Sequence, residues 1–143
     1  CCDMALAEQG ASFCLSEVKI GLIPAVISPY VMRALGERQC RRYFLTAERF
    51  SADSALTMGL LHQVVAAGEL ASQAESLIAS LLQNSPAAVS AAKALLHNIY
   101  NRKISNNVIA HTTQAIAEIR VSAEGQEGLT AFLEKRKPAW LAD

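Results

Sequence analysis

From residue 69 onward the apolar residues recur three and four positions apart, a spacing that only an α-helix gathers onto one face. Leu70, Ala74, Leu77, Ile78 and Leu81 form one such stripe and predict a helix over 69–82. Ser85 and Pro86 then supply a cap and a first helical residue, and Val89, Ala92, Leu95, Leu96 and Ile99 continue as the apolar face of the next helix. A third helix is predicted over 105–121 with Val108, Ala115 and Ile119 inward, and a short fourth over 127–135, ended before Pro138. Residues before 67 read differently. Short strands are predicted over 3–7, 12–15 and 62–65, and Pro24 and Pro29 keep 19–29 a loop. A helix starts at Ser28 or Pro29 and breaks near Gly36; a second, capped by Ser51, stops at Gly59. The expected division is therefore 1–66, with strands, a loop and short helices, and 67–143, all helical.

Composition narrows the class. Hydrophobic residues make up 52% and charged residues 18% of the 143 positions, which favours a packed core over disorder. Thirteen basic residues balance thirteen acidic ones, so no overall field recruits nucleic acid or an anionic membrane. The apolar runs fall well short of the ~20 residues a membrane-spanning helix needs. The four cysteines, Cys1, Cys2, Cys14 and Cys40, lack metal-ligand spacing, and His62, His97 and His111 are scattered, so no metal site is expected. Small apolar roles in a reducing, cytoplasmic compartment suit the cysteines best. An opening Cys1-Cys2-Asp3 inside an apolar strand is expected of a piece of a longer protein.

Two stretches and the tail resemble a known family. Cys2-Asp3-Met4-Ala5-Leu6-Ala7, followed by Phe13-Cys14-Leu15-Ser16-Glu17-Val18-Lys19-Ile20-Gly21-Leu22-Ile23-Pro24, is similar to the crotonase pattern of a C-D strand leading to F-x-x-P-E and an apolar G-[apolar]-[apolar]-P turn. Leu45-Thr46-Ala47 through Ala52, then Ala55, Gly59-Leu60 and Val64-Val65, resembles the segment that follows it in that family. Glu127-Gly128-Leu129-Thr130-Ala131-Phe132-Leu133-Glu134-Lys135-Arg136 looks like the family's E-G-x-x-A-F-x-E-K-R. These motifs occur in family order along nearly the whole chain. Ile23-Pro24-Ala25-Val26-Ile27-Ser28-Pro29 departs from the commoner I-P-G-x-G-G-T and resembles methylglutaconyl-CoA hydratase-like and isohexenylglutaconyl-CoA hydratase-like members.

The resemblance implies an α/β fold: the C-terminal part of a crotonase (ClpP-like) ββα spiral, followed by an all-helical C-terminal trimerisation region. It implies an enoyl-CoA hydratase-type lyase that adds water to a branched 2-enoyl-CoA, with two backbone N–H groups stabilising the thioester enolate. Glu17 matches the family's second catalytic glutamate, which exchanges a proton between water and the acyl carbons. Gly21, Leu22 and Pro24 match the loop lining the acyl pocket; Phe132 and Lys135 match tail positions that contact coenzyme A. The residues by themselves also allow Glu17 to be a surface carboxylate, Gly21 to Pro24 an ordinary turn, and 135–137 a solvated helix end. The family's first glutamate and its oxyanion N–H groups lie upstream of the matched motifs, so this chain alone is expected to be inactive. The partners implied are an acyl-CoA thioester and identical subunits in a homotrimer or hexamer; no cofactor is expected beyond the coenzyme A of the substrate. An enoyl-CoA isomerase, or a non-catalytic assembly subunit of the same fold, are the alternatives.

Overall fold

The computed structural model describes residues 1–141. The chain divides into two compact units, one of Cys1–Ser76 and a second beginning at Leu77.

The first unit starts with β1 (Leu6–Glu8) and β2 (Ser12–Phe13), passes through a 3-10 turn (Glu17–Ile20), and enters α1 (Ser28–Thr46). β3 (Phe50–Ser51), α2 (Ala52–Thr57) and β4 (Gln63–Val65) complete it, and α3 (Leu70–Leu82) starts here and runs into the second unit. β1 and β4 are parallel, pairing Leu6 with Gln63, Ala7 with Val64 and Glu8 with Val65. Parallel partners require a crossover, and α1 and α2 lie within it. β2 and β3 are antiparallel, with Ser12 opposite Ser51 and Phe13 opposite Phe50.

The core gathers between these short ladders and the helices. Ala7, Leu15, Leu35, Cys40, Tyr43, Phe50, Ala52, Ala55 and Leu61 form one buried cluster. Phe50 stacks on Phe13 with ring centroids 5.5 Å apart and meets Tyr43 at 4.4 Å, within the range where aromatic pairs attract beyond their area. Small residues permit this closeness: Ala47, Ala52 and Ala55 are completely buried. The Cys14 thiol donates to the Ala47 carbonyl at 3.3 Å, and burial pushes the Cys40 thiol pKa up. Ser51 caps α2 as expected, its hydroxyl accepting from the Ser54 N–H.

Several boundaries differ from those the sequence predicts. The first strand lies at Leu6–Glu8 rather than 3–7, because its parallel partner begins only at Gln63. Just before it, the Ala5 N–H donates to His62 Nδ1 at 3.1 Å and the His62 N–H to the Ala5 carbonyl at 2.8 Å. The second strand is limited to Ser12–Phe13 by the two-residue length of β3. The break near Gly36 is real: φ 77° and ψ 158° interrupt α1 in a region almost reserved for glycine.

In the second unit α4 (Pro86–Ile99), α5 (Asn106–Val121) and α6 (Ala123–Glu134) pack together, followed by a 3-10 turn (Ala139–Leu141). The hydroxyls of Ser85, Ser105 and Ser122 cap α4, α5 and α6. The Glu124 carboxylate reinforces the start of α4, accepting from Ser85 Oγ at 2.6 Å and the Ala87 N–H at 3.0 Å, and these bonds lower its pKa. The last long helix begins at Ala123, four residues before the predicted 127, since Ser122 caps it and the two poor helix formers Gly125 and Gly128 conceal its first turns in the sequence. Gly125 is required there: a Cβ would lie 2.0 Å from the Ile119 carbonyl oxygen.

The expected inward stripes are only partly covered. Leu95, Ile99, Val108, Ala115 and Ile119 are half-buried, yet Ile78 is 54% and Leu96 67% exposed, and outside the predicted stripes Ile116 is 63% and Val121 75% exposed. Helices packed on one side only leave such faces bare.

Candidate active site

Glu17 sits at the first position of the 3-10 turn that follows β2. The turn is closed by Lys19 N–H to Ser16 carbonyl at 3.0 Å and Gly21 N–H to Val18 carbonyl at 3.3 Å, and the Leu22 N–H returns to the Glu17 carbonyl at 3.0 Å. Gly21 ends it at φ 76°, the left-handed conformation that glycine adopts without steric cost. Nothing lies within 4 Å of where a Gly21 Cβ would stand, so backbone angle rather than crowding within this chain calls for glycine.

Glu17 itself is half-buried, and its Oε2 is shielded from solvent with no hydrogen-bond donor among the described residues. Buried carboxylate oxygens ordinarily have donors, so one without them needs an explanation. The surroundings offer one. Pro24 is buried and anchors the loop, its carbonyl accepting from the Ser28 N–H at 3.0 Å, while Leu22 is 60%, Ile23 73% and Val26 85% exposed. The loop that carries Glu17 thus sets its carboxylate beside bare apolar side chains.

The tail residues belong to the second unit. Phe132, 82% exposed, lies in the last turn of α6, and Lys135 follows its end in the left-handed conformation at φ 55°. The Lys135 N–H bonds to the Phe132 carbonyl at 3.2 Å and the Arg136 N–H to the Ala131 carbonyl at 3.0 Å, closing the helix end. The structure thus groups Glu17, Gly21, Leu22 and Pro24 on one loop, and Phe132 and Lys135 at one helix end.

A carboxylate not singled out by sequence spacing organises that helix end. Glu127 accepts from Arg136 Nη1 at 2.6 Å, Arg136 Nη2 at 2.9 Å and the Ala139 N–H at 2.8 Å. These bonds hold its carboxyl down at about 2, first through Arg136 and then through Ala139. Nine residues separate Glu127 from Arg136, which matches no same-face helical spacing. Because the folded value lies below the ordinary carboxylate value, the contribution of Glu127 is complete above about pH 4.5 and is lost as the pH falls toward 2. Trp140, the only tryptophan, packs on Gly128 of the same helix and reports on this end. Acid titration followed by its fluorescence should show a transition between about pH 4.5 and 2 that Glu127→Gln abolishes. An unchanged titration in the variant would show that another group controls it.

Comparison with known proteins decides the family. The family profile described as enoyl-CoA hydratase/isomerase matches residues 1–143. The chain belongs to the enoyl-CoA hydratase/isomerase family. The crystal structure of an enoyl-CoA hydratase from Shewanella pealeana is 54% identical and superimposes with a TM-score of 0.90, covering 96% of this chain and 51% of that one. Human enoyl-CoA hydratase domain-containing protein 3, mitochondrial, is 32% identical over 139 residues, 97% of this chain and 46% of that protein. A mevalonyl-coenzyme A hydratase of Aspergillus fumigatus is 30% identical over 141 residues, 97% of this chain and 52% of that protein. The chain therefore spans about half the length of the enoyl-CoA hydratase relatives it matches. Among the described residues, no helix is long and apolar enough to cross a membrane.

Proposed function

We propose that this chain forms part of an enoyl-CoA hydratase that adds water to a branched 2-enoyl-CoA, with 3-methylglutaconyl-CoA or a related thioester as substrate. The observation that carries the reading is Glu17 Oε2, shielded from solvent, without a donor among the described residues, and next to the exposed apolar loop of Leu22 and Ile23. In this reading Glu17 exchanges a proton between water and the acyl carbons, as water's oxygen bonds to the β-carbon and a proton reaches the α-carbon. Negative charge gathers on the thioester oxygen during the addition, and preorganised N–H donors stabilise it there. The family places those donors and a first glutamate outside the motifs of this chain, so the chain on its own is inactive in this proposal. Gly21, Leu22 and Pro24 shape the acyl pocket, and Phe132 and Lys135 hold coenzyme A, which arrives as part of the substrate.

The departure of residues 23–29 from the common family loop, together with a relative named as a mevalonyl-coenzyme A hydratase, supports a branched acyl group. The bare faces of Leu96, Ile116 and Val121 support assembly into a homotrimer or hexamer through the helices. We place the protein in the cytoplasm on its reduced cysteines, in keeping with the free thiols of Cys14 and Cys40.

The test offers the full-length protein 3-methylglutaconyl-CoA and a straight-chain 2-enoyl-CoA in separate assays. Hydration of the branched thioester with the larger kcat/KM supports the proposal. Preference for the straight chain removes the branched-substrate part. Double-bond migration without water uptake would make the protein an isomerase, and no turnover of any enoyl-CoA would make it a non-catalytic subunit.

A further inference from the structure

The end of α6 contains three basic residues in a row, Lys135, Arg136 and Lys137, which the structure treats differently. Arg136 is committed within the chain. Its Nη1 and Nη2 grip Glu127, its Nε donates to Glu134 Oε2 at 2.7 Å, and Nη1 also reaches the Lys137 carbonyl at 3.1 Å. Two carboxylates thus neutralise the guanidinium and occupy its donors, leaving it little to offer an anionic ligand. The Lys135 side chain has no acidic partner among the described residues.

Lys135 also occupies an unfavourable backbone position. Its φ of 55° and ψ of 37° place it where a helix end ordinarily uses glycine or asparagine. A side chain there costs roughly 1–2 kcal/mol, so the surrounding bonds must hold it. Glu127 supplies them from two directions, tying Arg136 and Ala139, which lie just beyond Lys135, back to α6. Trp140 secures the far side: a Cβ on Gly128 would lie 2.9 Å from its ring, and its Nε1 donates to the Gln83 carbonyl at 3.3 Å.

We propose that Glu127 is a positioning residue: by locking Arg136 and Ala139 it holds the strained Lys135 turn so that the Lys135 ammonium meets a phosphate of coenzyme A. This rests on the reading above that Lys135 contacts coenzyme A. Glu127 touches no ligand itself and acts only through the turn.

A double-mutant cycle on the full-length protein tests it, with coenzyme A binding read by calorimetry and folding checked by circular dichroism. Lys135→Ala is expected to weaken binding about tenfold, as loss of one charge-assisted phosphate contact does. Glu127→Gln should weaken it by about three- to tenfold in the presence of Lys135, and by nothing more once Lys135 is alanine. If Glu127→Gln weakens binding equally in both backgrounds, Glu127 is merely structural and the proposal falls. It also falls if Lys135→Ala weakens binding while Glu127→Gln does not, and the coenzyme A contact then stands alone. Unchanged binding in Lys135→Ala would overturn the coenzyme A contact itself, and the proposal with it. Should Glu127→Gln fail to fold, Arg136→Gln opens the same lock from its other end and enters the same cycle.

Discussion

Replacing Glu17 by glutamine in the full-length protein is expected to lower kcat by about a hundred- to ten-thousand-fold, the range for loss of a general acid–base group. The amide keeps the shape of the carboxyl but cannot take and return a proton at neutral pH. Stability should stay level. Glu17 Oε2 has no hydrogen-bond donor among the described residues, so no bond of that oxygen is lost when the amide replaces it. A variant that is inactive, folds as well as the parent and melts at the same or a higher temperature would show a residue kept for chemistry rather than for the fold. Retained turnover would make Glu17 structural and leave the proton transfer to another group. A large drop in melting temperature would show that the carboxylate has a stabilising partner in the complete protein.

Truncating Phe50 to alanine should produce the largest loss of stability, about 3–5 kcal/mol, the usual cost of removing a buried aromatic ring. Phe50 is 6% exposed and joins the two ladder strands to α1 through Phe13 and Tyr43. Its backbone belongs to β3, so both the pairing with β2 and the entry to α2 depend on its packing. Chemical denaturation of wild type and Phe50→Ala measures the difference. A loss under 1 kcal/mol would mean that the cluster closes over the gap, as tolerant cores do. Phe50→Leu, which restores part of the volume, should recover a portion of the stability.

Much of this architecture could be read from local chemistry. Periodicity revealed α3, α4 and α5, because each carries an unbroken apolar stripe flanked by a Ser cap, a proline or a turn residue. The break at Gly36, the Ser51 cap and the Gly21 turn were legible for the same reason: each depends on a residue's own backbone preferences. The start of α6 was not, since Gly125 serves close packing against α5 while lowering the helical signal. Apolar residues overstate strand length wherever the partner strand is short, as with residues 3–7 and 12–15.

The candidate site divides along the same line. Glu17 and its loop stood out through a motif, and a motif names a residue without saying what surrounds it. The shielding of its oxygen, which has no donor among the described residues, and the outward apolar side chains exist only once the chain is folded. At the tail the sequence showed three adjacent cations, of which the resemblance matched only Lys135 to a coenzyme A position. Folding set Arg136 apart, by spending it on Glu127 and Glu134, and bent the backbone at Lys135. The sequence alone therefore determined the family, the helical second half and the identity of the acid–base candidate, all of which rest on short-range pattern. Strand register, the extent of burial on each helix and the partner of each charge were decided by tertiary structure, because they depend on residues far apart in the chain coming into contact.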